Sequence, residues 1–129
     1  MQGILFPQAF LEEGIKETES WLELPDAEWE TFAQAARKIF SNFPTNGKPN
    51  EAQTESDLIL PLIEALGWHD YLPQQTISRR GRTDVPDALL FAGPEEKAAA
   101  NLESDQAARY RHGIAVQENK AWLTPLDRR

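Results

Sequence analysis

From residue 114 onward the chain alternates in the manner of a strand. Ile114, Val116, Glu118, Lys120 and Trp122 fall on one side of an extended backbone. The two aliphatic residues at its start predict that this is the inward face. A carboxylate and an ammonium then follow on the same face, and such local breaks in the apolar pattern tend to mark function. A second acid, Asp87, stands at the head of another apolar run, Val85-Pro86-Asp87-Ala88-Leu89-Leu90-Phe91. Strands are therefore predicted over residues 75–79, 88–91 and 114–122, with a hairpin connection over 79–84 and an aromatic-anchored turn over 68–73.

Helical spacing fills most of the rest. Residues 8–21 place Phe10, Leu11, Ile15 and Trp21 at loose helical intervals. After Leu24-Pro25, Asp26 is expected to cap a helix running to Phe40, with Trp29, Phe32, Ala33, Ala36, Ile39 and Phe40 as its apolar stripe. Residues 41–50 read as a loop. Residues 51–66 are the clearest helix: Leu58, Ile59, Leu62, Ile63 and Leu66 form the stripe, Gly67 ends it, and Pro61 should kink it. Glu55 lies on that stripe and has two readings, a first-turn acid satisfying the helix dipole or a carboxylate turned towards a site. Residues 95–111 predict one more helix, stopped by His112-Gly113, with His112 as a helix-end cation. The core order helix, strand, strand, helix, strand implies an α/β fold, a small sheet flanked by helices. Residues 1–49 form a helical lead-in packed on a core of residues 50–129.

Composition narrows the chemistry. The 129 residues suffice for one small domain with a core. There is no cysteine and there are only two histidines, so disulfides, thiolate zinc and a histidine-rich metal site are excluded. That usage fits a reducing, cytoplasmic setting. No apolar run approaches the roughly 20 residues of a membrane span. The net charge of −8 is the wrong sign for a free-standing nucleic-acid binder. DNA contact would then rest on further parts of a larger protein. The last strand, followed only by Leu123-Thr124-Pro125-Leu126-Asp127-Arg128-Arg129, reads as the cut end of a fragment.

The acids give the residue-level hypothesis. Two carboxylates within ~4 Å repel by about 4 kcal/mol at an effective dielectric near 20, and a divalent cation converts that repulsion into coordination. Magnesium takes hard oxygen ligands, typically one or two carboxylates plus water and phosphate. Asp87 and Glu118 are the expected carboxylates, and the backbone carbonyl of Asn119 is a candidate third ligand. Lys120 would orient the attacking water or stabilise developing charge. Glu55 could hold a second metal or a water. Arg79, Arg80 and Arg82 make a cationic tip, read either as simply solvated or as contacting DNA phosphates.

Pro86-Asp87 with Glu118-Asn119-Lys120 looks like the PD-(D/E)xK nuclease signature. The wider text is Asn50-Glu51-Ala52-Gln53-Thr54-Glu55, Leu62-Ile63-Glu64-Ala65-Leu66-Gly67-Trp68, Val85 to Phe91, and Val116-Gln117-Glu118-Asn119-Lys120-Ala121-Trp122 with Leu126-Asp127. It resembles the N-terminal endonuclease domain of Type IIG restriction–modification enzymes and is similar to the nuclease domain of Type I restriction subunits. The resemblance covers residues 50–129. It implies a restriction-endonuclease-like fold and magnesium-dependent hydrolysis of double-stranded DNA, with manganese as a substitute. It also implies an adenine methyltransferase using S-adenosylmethionine, and a target-recognition domain, later in the same longer chain. Asp87, Glu118 and Lys120 inherit the catalytic roles, Glu55 matches the acid on the family's first helix, and Gln75 matches the glutamine before its first strand. Two other readings stand beside this one: a non-catalytic module of the same fold for DNA contact or assembly, and an acidic helical interaction domain.

Overall fold

The structure is a computed structural model, and it describes residues 6–73 and 86–125. Its central feature is a three-stranded sheet in the order β1 (Tyr71–Pro73), β2 (Ala88–Leu90), β3 (Ala115–Gln117), with helices before, between and beside the strands. Both strand pairs are antiparallel. β1 falls where the sequence predicts a turn. The strand predicted over 75–79, the hairpin over 79–84, and with them Gln75, Arg79, Arg80 and Arg82, lie outside the described residues.

All three residues of β2 are buried, because the strand is paired on both edges and covered on both faces. Leu89 packs with Phe91 and with Ala100 of α6 (Pro94–Asn101), and Leu72 and Tyr110 close over them. The helix predicted over 95–111 is two helices, α6 and α7 (Gln106–Tyr110). Asp105 divides them, since its carboxylate accepts from Ala108 N–H at 3.0 Å and so starts a new helix. Glu103 in the intervening bend accepts from the other side: its carboxylate lies 3.1 Å from His112 Nε2, and its carbonyl takes Arg109 Nε at 2.9 Å. His112 thus ties the end of α7 back to the bend that precedes it.

Gly113 lies directly on Leu89. A Cβ there would stand 2.7 Å from Leu89 Cγ and closer still to Cδ1. Gly113→Ala is therefore expected to lower unfolding free energy by about 2 kcal/mol through overpacking, read as a lower urea midpoint with an unchanged slope. A loss below about 0.5 kcal/mol would show that the contact relaxes freely.

Residues 51–65 run as α4 (Glu51–Thr54), a π turn (Glu55–Ile59) and α5 (Leu60–Ala65). Pro61 explains the wide turn. It has no N–H to give, and the preceding Leu60 N–H reaches back to Glu55 O, five residues away, in place of a regular bond. Gly67, at φ +95°, closes the helix: its N–H bonds Glu64 O and Trp68 N–H bonds Ile63 O. Leu58 is buried as predicted, but Leu66 is 58 % exposed, because it sits past the last helical turn.

The lead-in differs in detail. Residues 8–22 form α1 (Gln8–Glu12), a 3-10 turn (Gly14–Glu17) and α2 (Glu19–Leu22), with Thr18 capping α2. α3 (Asp26–Asn42) begins one residue earlier than expected. Pro25, extended, occupies the cap position, and Asp26 lies in the first turn. α3 packs against α5 and the π turn through Phe32, Ala33, Ala36 and Ile39, all half-buried.

Candidate active site

The site forms where β2 begins and β3 ends. The register pairs Ala88, the first residue of β2, with Gln117, the last of β3. Asp87 N–H donates to Gln117 O at 2.9 Å, so Asp87 and Ala88 both meet Gln117. Glu118 follows Val116 by alternation, on the side of β3 that Val116 shares with Leu89 of β2.

That face is not the inward one of β3. Ile114 and Val116, expected in the core, are 62 % and 65 % exposed, whereas Gln117 and Asn119 are 8 % and 1 % exposed. The predicted phase is reversed. β3 borders only β2 among the described residues, and the packing that covers Leu89 leaves Val116 in the open. The opposite side of β3 meets the π turn through hydrogen bonds, so two amides are buried where aliphatic side chains were expected.

Asn119 is the hub of this arrangement. Its backbone N–H donates to Asp87 Oδ2 at 2.5 Å, its Nδ2 donates to Glu55 Oε2 at 2.7 Å, and its Oδ1 accepts from Gln117 Nε2 at 2.7 Å. Glu55 reaches it from the π turn, 64 positions away in sequence. A carboxylate only accepts, so Glu55 dictates which end of the Asn119 amide faces it, and that in turn orients Gln117. Gln117 Oε1, at the far end of this relay, is buried without a hydrogen-bond partner among the described residues.

Three residues on, a second pin holds the same segment. Trp122 N–H donates to Thr54 Oγ1 at 3.0 Å, and that hydroxyl donates to Asn50 O at 2.8 Å. The Trp122 indole donates to Thr45 O at 3.0 Å and meets the buried Phe43 edge-on, ring centres 5.4 Å apart. The loop after α3 thus fastens the segment that carries Lys120. Lys120 itself stands between the two pins and is exposed, with Nζ donating to Glu118 Oε1 at 2.7 Å. The hydrogen bond to Glu118, partly offset by desolvation and helped by the fields of Glu118, Glu51 and Asp87, holds the Lys120 ammonium above its ordinary pKa. It is a permanent cation at neutral pH, unsuited to act as a general base.

The structure thus brings Asp87 and Glu55 onto Asn119, one at its backbone and one at its side chain, with Glu118 and Lys120 flanking it in the chain. The linear pattern does not single out the side chains of Gln117, Asn119, Thr54 and Trp122. The available signal was the alternation of amides at 117 and 119, which carries the polar residues of that segment on the buried phase. Among the described residues no three Asp, Glu, His or Cys side chains form a ready-made ligand group. The oxygens present are hard donors, the chemistry magnesium takes, and that ion needs only one or two carboxylates from the protein. Comparison with family models, with curated proteins and with solved structures finds no match to this chain.

Proposed function

We propose that this chain is a restriction-endonuclease-like domain for magnesium-dependent hydrolysis of DNA phosphodiester bonds, acting within a larger cytoplasmic restriction–modification protein. The observation that carries the reading is the juxtaposition of Asp87 with the Glu118-Asn119-Lys120 segment across paired strands, 32 positions apart in sequence. Asp87, Glu118 and the carbonyl of Asn119 are the residues that would hold magnesium, and Glu55 is a further carboxylate within the same network. When bound, the ion would polarise the scissile phosphate and make an attacking water more acidic. Lys120 supplies fixed positive charge to a phosphate oxygen as negative charge develops there. Asn119 holds Asp87 and Glu55 in place, and the Trp122 anchor keeps Lys120 on a rigid segment. The fine assignment to a Type IIG protein, with its S-adenosylmethionine-dependent methyltransferase and target-recognition domain, rests on the resemblance of residues 50–129.

The test is a manganese titration followed by isothermal calorimetry. Saturable binding is expected, weakened at least about tenfold by Asp87→Ala. Binding that ignores this substitution, or no binding by the unaltered chain, would leave the fold as a non-catalytic module and remove the nuclease assignment.

A further inference from the structure

The acidity of the chain is concentrated. Residues 12–30 carry eight carboxylates against one lysine, which accounts for seven of the eight net negative charges. The end of that stretch forms one wall of an open groove of about 600 Å³, between the start of α3 and the C-terminal end of α5. Leu24, Trp29 and Phe32 line one side, Ala65 and Leu66 the other, and Glu28 is the only charged residue among those that line it. Leu24, Trp29 and Leu66 are 43 %, 50 % and 58 % exposed, and Trp21 and Leu22 beside them are also exposed. Large apolar side chains grouped in this way mark interaction surfaces more often than solvated ones. The carbonyl end of the 51–65 helix adds partial negative charge at the same place.

We propose that this groove docks a cationic amphipathic protein segment, its apolar side chains seated on Trp29 and Leu66 and its lysines or arginines facing Glu28 and Glu23, which precedes the lining Leu24. Charge selects that occupant. Nucleic acid and an anionic bilayer are repelled by such a rim, and a second copy of the chain would bring acid against acid. Apolar anchors in a groove with charges at the edge are the recognition mode of an amphipathic helix. None of these residues belongs to the site around Asn119, so the groove stands or falls apart from the nuclease assignment.

The probe is a fluorescein-labelled synthetic peptide of leucine and lysine at helical spacing, titrated with the full chain and read by anisotropy. Binding is expected to weaken about tenfold in Trp29→Ala and in Leu66→Ser, several-fold in Glu28→Lys, and with rising salt. The same peptide with glutamate in place of lysine should not bind. Both apolar positions are half-exposed, and circular dichroism verifies that each variant folds. Equal binding of the glutamate peptide, or affinity indifferent to Trp29 and Leu66, would overturn the proposal. So would a dimer of the chain in sedimentation that Trp29→Ala dissolves, because the occupant would then be a second copy.

Discussion

Under the proposed nuclease reading, Lys120→Ala is expected to reduce magnesium-dependent nicking of double-stranded DNA by about a thousandfold while leaving the urea midpoint where it was. On that reading the rate effect would come from removing a fixed cation that stabilises developing phosphate charge, a class of loss that runs to roughly 10²–10³. Stability is spared because Lys120 is exposed and its pair with Glu118 lies in solvent. The fall should appear in kcat more than in KM, since the charge it meets grows during the reaction. Lys120→Arg keeps the charge but not the compact ammonium and should recover only part of the rate. Cleavage that survives Lys120→Ala would show that the lysine is a surface residue paired with Glu118 and nothing more.

Asn119→Ala should have the largest effect on folding, a loss of about 3 kcal/mol in unfolding free energy. Two hydrogen bonds of 2.7 Å vanish, and Gln117 Nε2 is left buried without an acceptor. Each such orphaned group costs about 1–3 kcal/mol. The Glu55 carboxylate, half-buried, can recover some water and contributes less than a fully enclosed charge would. Asn119→Asp should be worse still, because it sets a second carboxylate against Glu55. In a chain of this size the loss corresponds to a thermal midpoint lower by roughly 10 °C. A double-mutant cycle with Glu55→Ala should return a coupling of about 1–2 kcal/mol, since the two residues share one hydrogen bond. Additive losses would mean that the relay through the Asn119 amide carries no energy of its own.

Local chemistry was enough to read several elements from the chain. Pro61 dictates a disturbed turn wherever residues 51–65 are placed, because a missing N–H is missing in any context, and Gly67 ends that helix because only a residue without a Cβ adopts φ +95° easily. The buried run of β2, and the helical stretch between it and the last strand, follow equally from spacing and apolarity. Periodicity likewise shows that Glu118 and Lys120 share a face. It does not show whether that face is the inner one. Alternation is symmetric under exchange of the two faces, so which side of β3 is buried depends on what packs against it. Here the register Ala88 to Gln117 and the π turn bearing Glu55 decide the matter, turning Gln117 and Asn119 inward and leaving Ile114 and Val116 exposed. The division of residues 95–111 by Asp105 and the fastening of Trp122 to Thr45 and Thr54 belong to the same class. Each rests on a contact partner whose position the linear pattern does not contain, and only the folded chain supplies it.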